Sequence, residues 1–308
     1  MPTTDLEALF PTKDAIPTGG GRPRGSRRAR LALGVSVALL VPGAARAQDP
    51  SQPPPSEPGI SDNSFLAEEA YNQAPGVVQH ISGFQRSWDG GDWLYTFTQE
   101  WPVPGQRHQL SFTVPVQRLT LAEGTATGLG DVALNYRLQV AGMGEDPRVA
   151  FAPRLSVLLP TGSDERGLGA GGASVQLSLP LSVMLGRRIA THWNAGVTHA
   201  PSARNRAGAE APTTAWNLGQ SVVWLAHPRF NVLLETVFVR AQVVVEPGAT
   251  ERSDTFLLNP GIRWAWNFRN GLQIVPGLSV PIGLGPSRGD NSLFLYLSFE
   301  HPFRRKAG

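Results

Sequence analysis

The chain has 308 residues, of which 41% are apolar and only 17% charged, with 34 glycines, 27 prolines and no cysteine. That composition supplies a sizeable core, suits many short strands and turns better than a helical bundle, and excludes disulfides and thiolate metal sites. The pI near 9.7 does not mark a nucleic-acid surface: residues 1–47 hold seven of the 27 Lys and Arg against three of the 24 acids, leaving 20 bases and 21 acids elsewhere.

Those first 47 residues read as an N-terminal extension and a cleaved signal peptide. "RPRGSRRAR" is its basic region, "LALGVSVALLVPGAA" its apolar run and Ala45-Arg46-Ala47 its cleavage site. The apolar run is short for a membrane span, and Pro42-Gly43 interrupts it. "SRRARL" resembles a twin-arginine signal, but the architecture expected below does not cross folded, so the general secretory route is the expectation. Residues 48–75 follow as a Pro/Ser-rich periplasmic linker. Within it, "SFLAEEAYNQAPG" permits a short helix capped by Ser64. The segment reads first as a disordered lead-in and second as an element that plugs a pore.

From Gly76 no helical stripe persists and period-two alternation takes over. In "DVALNYRLQV", Val132, Leu134, Tyr136, Leu138 and Val140 alternate with Asp131, Ala133, Asn135, Arg137 and Gln139. Twelve such segments are expected, at 76–86, 92–102, 107–119, 129–141, 147–160, 172–185, 188–199, 213–226, 229–241, 255–268, 271–283 and 292–303. Most are long enough to cross a bilayer with tilt, which takes about 9–11 residues. An even count, tight turns such as "RNG" at one rim and long loops such as "TGSDERGLGAGG" at the other predict a fold at 76–303. It is an all-β, twelve-stranded antiparallel transmembrane β-barrel of the outer membrane, with both termini periplasmic and a basic tail at 304–308. Trp93, Trp101, Trp216, Trp224, Trp264, Trp266, Phe268 and Phe303 fall on the outer face, as interfacial girdles require. Pro115, Pro153, Pro180, Pro260, Pro276 and Pro281 oppose this reading unless bulges absorb them.

"GLGDVALNYRLQV" (128–140) and "PRLSVLLPTGS" (153–163) resemble the paired hallmark strands of the outer-membrane family named for the meta-pathway of phenol degradation, and "EEAYNQAPGVVQH" (68–80) is similar to a lead-in of some members. The resemblance implies a transport barrel for small compounds, aromatic ones among them. It carries no catalytic residues.

By alternation, the candidate lumen-lining and selectivity residues are Arg137, Arg154, Arg263, Glu100, Glu235, Glu300, Asn135, Gln139, His192, Asn194, Asn259 and Tyr296. Such charges must be wet or paired. The three arginines therefore read either as attractors of anionic solutes or as part of a salt-bridge network that fills the lumen. His80 and Ser82 share a face and permit an esterase or lipase pair with no orienting acid; no catalytic residue is assigned. His192 and Asn194 do not make a metal site, and no cofactor is expected. The function expected is an outer-membrane, porin-like channel or transporter passing small solutes passively through a narrow polar lumen. A structural or loop-presenting barrel is the alternative, and a hydrolase the third. The expected partners are outer-membrane lipid, small-molecule solutes and the barrel assembly machinery, which Phe303 resembles a signal for, and no nucleic acid.

Overall fold

The structure is a computed structural model describing residues 59–60, 62–89, 91–144 and 147–303. The expected signal peptide at 1–47, the 48–58 stretch and the tail at 304–308 lie outside the described residues.

Twelve staves close one antiparallel sheet on itself. In chain order they are Val77–Ser87, Trp93–Pro102, His108–Leu121, Gly124–Leu129 with Val132–Leu138, Val149–Phe151 with Arg154–Leu159, and Ser174–Ser178 with Leu181–Leu185. The seventh to twelfth are Ile189–Arg204, Glu210–His227, Phe230–Glu246, Ala249–Trp264 with Trp266–Asn267, Gln273–Ser279 with Ile282–Gly283, and Ser292–Pro302. The first stave pairs with the last in an unbroken register from Val77 against Pro302 to Ser87 against Ser292, which leaves no free edge. The one helical element among the described residues is a 3₁₀ turn at Gly285–Ser287.

The alternation explains which face is which. On the fourth stave Leu134 and Tyr136 are exposed while Asn135 and Arg137 are buried, and on the fifth Leu155 and Val157 are exposed while Arg154 and Ser156 are buried. Apolar residues face out and polar residues in, the inverse of a soluble sandwich and the arrangement of a lipid-embedded barrel.

Two expectations are corrected. Ser64 caps no helix: residues 62–74 form no regular structure, and they lie inside the barrel rather than forming a lead-in outside it. Much of the expected long loop sequence is strand. The third and fourth staves are separated by residues 122 and 123 alone, and the ninth and tenth by Pro247 and Gly248. The far rim therefore carries short links at 122–123, 205–209 and 247–248, and its longer irregular stretches among the described residues are 160–173 and 284–291. Gly248 turns its hairpin at φ 74°, a conformation costly for other residues.

Five of the six in-strand prolines fall at or opposite interruptions of the ladder. Pro153, Pro180 and Pro281 sit in the gaps that divide the fifth, sixth and eleventh staves. The Pro115 carbonyl accepts from Gly130 N at 2.9 Å, beside the gap in the fourth stave, and the Pro260 carbonyl accepts from Val280 N at 3.1 Å, beside the gap in the eleventh. Because a strand residue's N and O point the same way, the missing donors of Pro115 and Pro260 face a place where the partner stave has already lost its regular rung, whereas Pro276 stays inside Gln273–Ser279 in register with Leu297.

Candidate functional site in the barrel lumen

The inward polar side chains do not surround open space. They hold residues 62–73, which run around the inner wall past nearly every stave. A buried chain without secondary structure must find partners for its own amides and carbonyls, and the lumen supplies them one by one.

At its start Arg263 donates to the carbonyls of Asp62 and Asn63, the latter at 2.7 Å, and reaches Glu69 Oε1 at 3.3 Å. Asp62 Oδ1 accepts from Tyr296 Oη and from Gln79 Nε2, both at 2.6 Å. Glu235 Oε1 then accepts from Leu66 N at 2.9 Å and Ala67 N at 3.0 Å, while its Oε2 accepts from Asn259 at 2.6 Å. Two amide side chains imitate a β-rung. Asn194 accepts from Glu68 N at 2.6 Å and donates to its carbonyl at 3.0 Å. Gln139 accepts from Asn72 N at 2.7 Å and donates to the Ala70 carbonyl at 2.6 Å. Ala70 N donates to Ser182 Oγ, itself 2.8 Å from His192 Nδ1, and Gln73 N donates to Gln109 Oε1.

The charges follow the same logic. Arg137 donates to Asn72 Oδ1 and to the carbonyls of Glu69 and Tyr71, with Glu100 at 3.7 Å. Arg154 pairs with Glu68 at 2.7 Å and donates to Gln176; Asn135 hydrogen-bonds Ser111 and lies 3.5 Å from Arg154. Glu69 lies 3.5 Å from His192 Nε2. Glu300 is half-buried at the terminal rim, paired in register with Gln79 and Gln273. Each of the three arginines thus bonds the 62–73 segment.

Apolar contacts anchor the segment as well. Phe65 and Leu66 are fully buried in a cluster with Ile81, Leu94, Val223, Leu233, Val237, Leu257, Val275 and Phe294. A cavity of about 20 Å³, room for little more than a water molecule, remains between the segment's Asn63 and Glu68 and an arc of the wall carrying Thr96, Thr98, Ser111, Glu100, Arg137, Arg154, Phe294 and Tyr296.

Sequence reasoning missed Gln79, Gln109, Ser182 and Ser221, whose Oγ lies 2.9 Å from Ser64 Oγ, as partners of the segment, although their polar identity at inward parity was a usable signal. It also missed Gly261 and Gly277, where glycine in mid-strand marks a close approach. The esterase pair does not form. His80 and Ser82 lie on the outer face, with His80 Nε2 3.3 Å from His301 Nε2 and Ser82 Oγ 3.2 Å from Tyr95 Oη. Among the described residues no cluster of three or more His, Asp and Glu has metal-binding geometry.

A family model described as "Putative MetA-pathway of phenol degradation" matches residues 62–280. Among solved structures, an outer-membrane channel from Pseudomonas putida F1 superposes with TM-score 0.59 at 13% identity, covering 75% of this chain and 97% of that one. NanC porin gives TM-score 0.47 at 8% identity over 73% and 98%, and the CymD monoaromatic hydrocarbon channel 0.39 at 10% over 76% and 90%. No curated protein matches the chain.

Proposed function

Because the chain belongs to the family of outer-membrane barrels named for the phenol meta-pathway, we propose that it is a channel passing small polar, aromatic or anionic solutes by diffusion, with residues 62–73 as its constriction. The observation that carries this reading is the way the segment is held. Most of its hydrogen bonds join backbone groups to polar wall side chains, so water can replace those bonds and leave a wet conduit lined by Arg137, Arg154 and Arg263, with the apolar contacts of Phe65 and Leu66 as the remaining anchor. The family match begins at Asp62, so the segment falls within the matched region. The seated state leaves beside Glu68 and Arg154 only a cavity of about 20 Å³, so passage of a solute requires the segment to shift. We place the rim bearing Val77 and Phe303 in the periplasm.

The alternative of a structural barrel has the occupied lumen in its favour. Conductance in planar bilayers separates the two. The mature chain is expected to give small, noisy steps, and a chain lacking 59–75 steps at least several-fold larger, with anion preference reduced by Arg137→Gln and Arg154→Gln. A folded deletion variant that does not conduct overturns the channel reading.

A further inference from the structure

We propose that the recess holding Phe65 is a binding site for a free aromatic ring, and that a small uncharged monocyclic aromatic solute occupying it releases the segment. This rests on the reading of the lumen as a conduit and adds to it a ligand class and a means of opening.

The recess is built for a ring. Phe65 is fully buried, its centroid 5.8 Å from that of Phe294 and 5.5 Å from that of Tyr296, with interplanar angles of 52° and 55°. These tilted arrangements are the ones that aromatic quadrupoles favour. Opposite them the wall is cut away to backbone. A Cβ placed on Gly261 would come within 2.5 Å of the Phe65 ring, and one on Gly277 would overlap it. Register sets Gly277 beside Tyr296 on the twelfth stave and Gly261 beside Ser279 on the eleventh. Glycine weakens a strand interior, so two at inward parity in adjacent staves make sense as room for a flat guest.

The recess also has a way in. Phe294 and Tyr296, the rings against which Phe65 packs, also line the small residual cavity, so the recess wall is reached from the lumen once the segment shifts. An apolar cavity the size of one ring stays dry and accepts benzene-sized ligands. The recess wall is ring faces and glycine backbone, and its one polar group, the Tyr296 hydroxyl, already donates to Asp62 at 2.6 Å, so an uncharged ring is the guest it suits. Most other contacts of the segment's backbone are hydrogen bonds that water can make in its place, whereas Phe65 is held by shape and apolar burial, so a competing ring removes an anchor that water cannot replace.

The test uses the full mature chain in nanodiscs with fluorobenzene as probe. Since the chain has no cysteine, Ala67→Cys provides a single reporter thiol at a fully buried position of the segment. Its labelling by a soluble maleimide is expected to be slow, to accelerate at least tenfold with millimolar fluorobenzene, and to be fast without solute when Phe65→Ala is added. The fluorobenzene ¹⁹F resonance is expected to shift or broaden with the Phe65→Ala chain and not with Phe65→Ala/Gly277→Leu, in which the new side chain fills the recess. No ¹⁹F change with Phe65→Ala overturns the ring site, and ¹⁹F binding without faster thiol labelling overturns the release. Neither measurement reads conduction, so a failure of the conduit reading in the bilayer experiment remains distinguishable.

Discussion

Glu235 shows what a single inward residue contributes. One of its oxygens accepts two consecutive amides of the segment, Leu66 N and Ala67 N, and the other holds Asn259. A buried amide left without an acceptor costs about 1–3 kcal/mol, so Glu235→Leu, which orphans two, is expected to unseat this stretch. Glu235→Gln, which keeps an acceptor oxygen, costs less. Hydrogen exchange is the check: amides of 66 and 67 accelerate by roughly tenfold or more in Glu235→Leu, while ladder amides of the ninth and tenth staves keep their protection. Unchanged exchange at 66 and 67 would mean that the carboxylate is not what holds them. The inward position of Glu235 could be read from the sequence because alternation fixes parity. Its partners could not, since residues 62–73 carry no period that relates them to any stave.

At the level of the strand, the six prolines looked like the strongest objection to a closed barrel, and their accommodation depends on neighbours distant in sequence. Gly130 shows how the debt is met. Its N donates to the Pro115 carbonyl, but Pro115 cannot donate in return, and the Gly130 carbonyl instead accepts from Thr161 Oγ1 at 2.8 Å, which also accepts from Val132 N at 2.9 Å. Thr161→Val is therefore expected to lower stability by about 1–3 kcal/mol, read as a lower denaturant midpoint in micelles. Pro115→Val supplies an N–H aimed at the same gap, so the cost of Thr161→Val should shrink in the Pro115→Val background, giving a coupling energy between the two positions. Strict additivity would refute the exchange of donors. Strand existence and parity were legible from composition alternating along the chain. The gaps were not, because each is set by the register of an adjacent stave.

Across the whole barrel the wall is uneven. The eighth stave has 18 residues and the ninth 17, against seven and two in the two pieces of the eleventh. At about 3.3 Å per residue, 18 residues extend roughly 60 Å, well beyond what about 30 Å of hydrocarbon requires even with tilt. The surplus continues as paired strand to tips at 205–209 and 247–248, far from the rim where the first stave begins and the last ends. Sequence reading assigned much of this surplus to loops because Gly, Pro and charge accumulate there, whereas cross-strand pairs such as Arg240 with Asp254, 2.9 Å apart, carry the ladder outward past the lipid. If the rim bearing both barrel ends is periplasmic, these hairpin tips project from the cell. A protease recognition sequence inserted between Pro247 and Gly248 is then expected to leave the barrel intact, since Gly248 meets nothing within 4 Å of a built Cβ, and to be cut by protease added to whole cells. The same sequence at Asn270-Gly271, in the tight turn between the tenth and eleventh staves, should be cut only after the outer membrane is permeabilised. The reverse pattern would invert the topology and place the 62–73 segment at the extracellular mouth of the conduit.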